Sequence, residues 1–123
     1  MALAPSDFWR FRESRGRVER VEVTVRPLDQ FDLAPDILKV DVEGTEDDVI
    51  AGAREMIEEH LPIILLEGSA VNSQDWLSTL GYEVHRFNAD PARFVVGEAG
   101  DLNSFFLTPR QRDRFLGIDV VEG

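Results

Sequence analysis

Three carboxylates stand near the ends of short apolar runs. Asp41 and Glu43 follow Ile37-Leu38-Lys39-Val40, and Glu67 closes Pro62-Ile63-Ile64-Leu65-Leu66. If both runs are strands of one open α/β sheet, these acids share its carboxyl edge, where such sheets hold their ligands. Carboxylates crowded together repel and raise one another's pKa, which suits a general base that must take a proton from a sugar or other small hydroxyl compound. Asp41 is the first choice for that base, with Glu67 orienting a substrate or cofactor and Glu43 second. A plainer reading stays open beside it: Glu43 or Glu67 caps a loop by accepting backbone N–H groups, and Lys39 neutralises Asp41 from the same strand face. A divalent cation among the three oxygens is a weaker option, because nothing else in the pattern completes its shell, and no metal site is assigned.

The remaining polar residues have ordinary explanations. His60 falls at a helix end, where an imidazolium complements the dipole. His85 alternates in phase against Tyr82 and Val84 and is expected at the surface, Trp76 in the core, and Asn103 in a turn before a strand. There is no cysteine, which excludes disulfides, thiolate nucleophiles and cysteine metal sites.

The elements that must position the acids follow from periodicity. Val21, Val23 and Val25 alternate with Arg20, Glu22, Thr24 and Arg26, which predicts a strand ended by Pro27. Leu28 to Pro35 reads as a loop or a single helical turn, and Ile37 to Val42 as a strand stopped by Gly44. Thr45 is placed to cap a helix with Asp48 three residues on, and Val49, Ile50, Ala53, Met56, Ile57 and His60 or Leu61 keep helical spacing as far as Pro62. The nearly continuous apolar run Pro62 to Gly68 predicts a strand buried on both faces of a parallel sheet, completing a βαβ unit. Asn72 or Ser73 can cap a second helix carrying Trp76, Leu77 and Leu80, with Gly81 suited to the left-handed position after it. Tyr82 to Phe87 and Ser104 to Thr108 read as the closing strands, Phe94-Val95-Val96 can pair locally, and the tail from Arg110 reads as a short helix and a frayed end.

The 123 residues make one α/β domain, with an arm over 1–20, a body over 21–109 and a tail over 110–123. Its 24 acids against 13 basic residues give a net charge of −11, which disfavours nucleic acid and anionic membrane surfaces. No apolar run is long enough to cross a bilayer and no leader pattern opens the chain, so a cytoplasmic protein is expected. Lys39 is the single lysine beside twelve arginines. That bias fits a halophilic source or a GC-rich genome equally well.

With these residues in place a family becomes recognisable. Ile37-Leu38-Lys39-Val40-Asp41-Val42-Glu43-Gly44, then Glu46, Val49, Ile50 and Gly52-Ala53, then Pro62 to Glu67, resembles the second half of the FkbM family of S-adenosylmethionine-dependent methyltransferases. Leu28-Asp29, Leu80-Gly81-Tyr82 and Asn103 extend the resemblance over roughly Val21 to Pro109. It implies part of a doubly wound, Rossmann-like sheet of the class I methyltransferase type, mainly parallel with an antiparallel closing pair. It also implies S-adenosylmethionine as cofactor and transfer of a methyl group to a hydroxyl acceptor. The family holds its cofactor with a glycine-rich turn, yet the glycines here stand at 16, 44, 52, 68, 81, 97, 100, 117 and 123, with no G-x-G. The expectation is therefore a truncated form lacking the cofactor-binding half, inactive alone and with its cofactor residues unassigned. The alternative is a non-catalytic α/β remnant acting as a self-associating or interaction module. Either way a homo-oligomer or a missing N-terminal half should cover the edge of the strand at Leu38, Val40 and Val42, unless the Val21 to Val25 strand folds back onto it.

Overall fold

The apolar runs form a single mixed sheet in the computed structural model, which describes residues 17–68, 70–115 and 120–122. Its strands are β1 (Ile37–Val40), β2 (Ile63–Glu67), β3 (Glu83–Ala89), β4 (Ala92–Val96), β5 (Asn103–Leu107) and β6 (Val120–Glu122), in the order β1-β2-β5-β3-β4-β6. β1 and β2 pair in parallel with Lys39 beside Leu65, and the connection between them carries two helices, α1 (Glu46–Ala51) and α2 (Arg54–His60). The expected βαβ unit and antiparallel β3–β5 pair are both present.

The expectation of a mainly parallel sheet is corrected. Only β1–β2 and β4–β6 are parallel, while β2–β5, β3–β5 and β3–β4 are antiparallel. The two residues Asp90-Pro91 between β3 and β4 can make only a hairpin, since a parallel return needs a long crossover. The tail is likewise more ordered than a frayed end: α4 (Pro109–Phe115) is followed by β6, which lies parallel to β4.

One sheet face holds the core. Val40, Ile64, Leu66 and Phe106 meet Ile50, Ala53, Met56 and Ile57 of the α1–α2 layer and Leu77 of α3 (Val71–Thr79). Burial along β2 alternates, with Ile64 and Leu66 buried and Ile63, Leu65 and Glu67 half-buried, so the strand is not covered equally on both faces. Trp76 packs half-buried against this core under the Arg54 guanidinium, 4.4 Å from the ring centroid. The buried Tyr82 hydroxyl donates to the Pro62 carbonyl.

The helix expected over Thr45 to Leu61 is split at Gly52-Ala53. Pro27 packs so closely on Gly52 that a Cβ there would lie 3.1 Å from the proline Cβ, and the Asp29 N–H donates to the Gly52 carbonyl at 2.8 Å. The Asp29 carboxylate then receives the N–H groups of Glu55 and Met56, each at 3.0 Å, and restarts the helix as α2. Residues Leu28–Gln30 form the expected single helical turn that carries this carboxylate.

Distant acids also replace the expected local caps. Thr45 occupies the position before α1, but its hydroxyl donates to the Val42 carbonyl at 3.4 Å and caps nothing. Asn72 and Ser73 lie inside α3 rather than before it, and their N–H groups go to the Asp47 carboxylate, Ser73 at 2.9 Å. At the other end of α3 the expectation holds. Gly81 has φ +92°, its N–H reaches the Ser78 carbonyl, and the Tyr82 N–H reaches that of Leu77, the doubly bonded left-handed stop.

The strand expected at Val21 to Val25 is absent. Residues 17–27 carry no regular secondary structure, and Val18, Val21, Val23 and Val25 are 66–77% exposed. An alternating pattern specifies which face would be buried, but without a neighbouring strand there is no ladder to hold it. The rest of the arm, residues 1–16, lies outside the described residues.

Candidate functional site

β1 ends at Val40, two residues earlier than its apolar pattern, because the backbone turns left-handed just beyond: Glu43 has φ 56° and Gly44 φ 104°. Only glycine adopts that region freely, so the turn is fixed by Gly44 and strained at Glu43. β2 stops at a second left-handed glycine, Gly68 (φ 92°), whose N–H donates to the Leu102 carbonyl at 2.9 Å and draws in the loop before β5. That loop is shaped by Gly100, where a Cβ would collide with the Asn103 carbonyl and whose N–H donates to the Ser104 hydroxyl.

Between these loops, at the carboxyl ends of the parallel pair, lies a cleft of about 410 Å³ lined by Asp41, Glu43, Glu46, Glu67, Asp101 and Leu102 together with Gly44 and Gly68. The cleft brings Asp41, Glu43 and Glu67 together, as the strand-end argument anticipated. The Asp41 and Glu67 carboxyl groups lie close enough to share a hydrogen bond when one of them is protonated. That bond and the charge of Asp41 hold the Glu67 carboxyl above its ordinary 4.5, against the opposing pull of Lys39. Among the described residues Lys39 forms no ion pair with Asp41.

Glu46 was missed as a site residue. Its position in the first helical turn suggests only a dipole contact, yet it is 5% exposed and its Oε1 accepts the Gly44 N–H at 2.9 Å. The loop-capping role considered for Glu43 or Glu67 therefore belongs to Glu46. Asp101 and Leu102 enter through the long return from β4, for which a single sequence gives no signal. Asn103 opens β5, opposite Glu67.

His85 is a second correction: it is fully buried, not at the surface. Its strand has partners on both sides, with Phe105 and Val96 directly opposite, and the Phe94 ring meets the imidazole edge-on at 6.3 Å. Nδ1 lies 2.9 Å from the Glu83 carbonyl, while Nε2 is buried without a partner among the described residues. His60 ends α2 as expected, 3.7 Å from Glu59. Both histidines are remote from the acidic cleft.

Carboxylates in this arrangement can accept hydrogen bonds from hydroxyls and take up a proton. No three acids or histidines among the described residues converge as a metal cage. S-adenosylmethionine, the cofactor implied by the resemblance, carries a carboxylate and an adenine ring as well as a cationic sulfur. Among the described residues no cation and no aromatic ring lines the cleft, and Leu102 is the one large apolar side chain there. The lining therefore does not fit the whole cofactor.

The model of the methyltransferase FkbM domain family matches residues 2–115. Among solved structures, methyltransferase FkbM from Methylobacillus flagellatus KT is 26% identical over 67% of this chain, with a TM-score of 0.45. The chain spans 22% of the length of that protein. No curated protein matches the chain.

Proposed function

Because the chain belongs to the methyltransferase FkbM domain family, we propose that its acidic cleft is the hydroxyl-activating side of an S-adenosylmethionine-dependent O-methyltransferase. The observation that carries this reading is the Asp41–Glu67 carboxyl pair at the ends of two adjacent parallel strands, the edge where open α/β sheets bind ligands. Asp41 accepts the hydroxyl proton, Glu67 orients the acceptor by hydrogen bonding, and Glu43 adds a third oxygen at the rim.

The cofactor, on this reading, is held by residues other than those lining the cleft. The order β1-β2-β5-β3 supports placing the chain as the half of a doubly wound sheet that ends in an antiparallel pair. Calorimetric titration with a panel of sugars and small polyols tests the acceptor site. At least one should bind, and Asp41→Asn should weaken it by about tenfold or more, the loss expected for a hydrogen bond to a charged group. A panel that gives no heat, or an Asp41→Asn variant that binds as well, overturns the reading. Micromolar affinity for S-adenosylmethionine would overturn the placement of the cofactor elsewhere.

The exposed valines favour a second reading, a self-associating module. Four valines shown to solvent and a terminal strand β1 with Ile37 64% exposed are two surfaces that pair readily. Light scattering of the purified chain, together with the titrations, separates the two: a dimer that binds no polyol favours the module.

A further inference from the structure

Glu46 raises a question that the acceptor-site reading leaves unanswered. A carboxylate in a first helical turn usually faces water, as its neighbour Asp48 does, yet Glu46 is buried beside a cleft already crowded with acid. Burying a charge without strong partners is costly, so the position has to be explained by what the side chain holds.

It holds two loops at once. Oε1 accepts the Gly44 N–H at 2.9 Å, bending the side chain back across the left-handed turn at Glu43 and Gly44. The same oxygen lies 3.2 Å from where a Cβ on Gly68 would sit, and Cδ lies 3.4 Å from it, so the carboxylate fills the space that a side chain there would need. Gly68 immediately follows Glu67, and Gly44 follows Asp41 by three residues. Gly68 is itself bonded to Leu102, which joins the third loop of the cleft to the same point.

We propose that Glu46 is a positioning residue, whose buried carboxylate locks the loop after β1 against the loop after β2 and thereby keeps the Asp41 and Glu67 carboxyl groups within hydrogen-bonding reach. The role rests on the acceptor-site reading for its functional meaning, but the geometry it sets can be measured without substrate. Glu46 lines the cleft, but its Oε1 is taken by the Gly44 N–H. It acts through the two loops. Its own charge is not among those that shift Glu67, whose surroundings are set by Asp41, Lys39 and Glu43.

The test is a carbon-detected NMR titration of the carboxyl groups in the full-length labelled chain. In the unaltered protein Glu67 should titrate above its ordinary value. Glu46→Asp keeps the charge but shortens the reach, and should bring the Glu67 midpoint down toward 4.5. Glu46→Gln keeps an oxygen for the Gly44 N–H, and should leave the midpoint near that of the unaltered chain. A purely structural role would lower thermal stability in both variants without separating them in this titration. A Glu67 midpoint unchanged in Glu46→Asp, or equally lowered in Glu46→Gln, overturns the proposal. If Glu46→Asp does not fold, Glu46→Ala, which removes the acceptor of the Gly44 N–H without straining a left-handed glycine, must lower the midpoint instead. Loss of polyol binding with this pattern intact would count against the acceptor reading alone.

Discussion

On one face of the sheet Val40, Ile64, Leu66 and Phe106 meet Ile50, Ile57 and Leu77 of the helix layer, each at most 2% exposed. On the other, β3 presents Glu83, His85 and Phe87 beside Phe105 and Phe94, and α4 contributes Arg112, 2.8 Å from the Glu83 carboxylate. The first face is held mainly by apolar contact, with the Asp29 and Asp47 carboxylates confined to the helix ends that cover it. The second mixes a buried imidazole with an ion pair and leaves Phe87 43% exposed and Ile37 64% exposed. Apolar packing depends on area removed from water and little on pH, whereas the second face depends on protonation and on hydrogen-bond partners. The same sheet thus has one face that should be insensitive to conditions and one that should respond to them.

The sharpest way to break that contrast is to open a cavity on the first face. Ile57→Ala should cost about 2–5 kcal/mol in urea unfolding, the range for a fully buried isoleucine; a loss below about 1 kcal/mol would mean that this face is not the tighter one. Next in size is the carboxylate that restarts α2. Asp29→Ala leaves two N–H groups without their acceptor and should cost about 1–2 kcal/mol, and Asp29→Asn should recover part of it.

A smaller change is expected at His85, and its sign follows from burial. Burial holds the imidazole below its ordinary 6.5, so between the lowered value and 6.5 the unfolded chain binds the proton more readily than the folded one. The stability present above about pH 6.5 should therefore decline as pH falls through that window. In His85→Leu the decline should disappear from melts taken across it, and a decline that persists would place the sensitivity elsewhere. The smallest effect belongs to Arg112→Ala, below about 1 kcal/mol by urea unfolding, because the ion pair with Glu83 keeps 26% and 34% of its two side chains exposed.

The helix-covered face was legible in the sequence because its information is periodic. The spacing of Val49, Ile50, Ala53, Met56 and Ile57 and the unbroken run at Ile63 to Leu66 state what is buried, and Gly81 states where α3 stops. The strand-end acids were legible for a related reason, since a strand's carboxyl end can be read wherever the strand can. What escaped depends on contacts between distant positions. Nothing near Gly52 announces that Pro27 and Asp29 will break a helix there, and Thr45 and Ser73 look like caps until Asp47 takes one role and the other goes unfilled. His85 misleads because alternation tells which residues share a face but not whether that face is covered. Glu46 shares the first turn of α1 with Asp47 and Asp48, and only its burial and its bond to the Gly44 N–H, both set by the tertiary fold, distinguish it from Asp48.

The borrowed caps also bear on how the chain reaches its native state. α2 and α3 have seven and nine residues, too few to persist alone in water. Their N-terminal amides wait for carboxylates delivered from 25 to 27 positions upstream. Neither helix can serve as an early, self-sufficient nucleus. Each must form together with the loop that supplies its acceptor, which ties the helix layer to the sheet in one cooperative event and makes a half-assembled intermediate costly to populate.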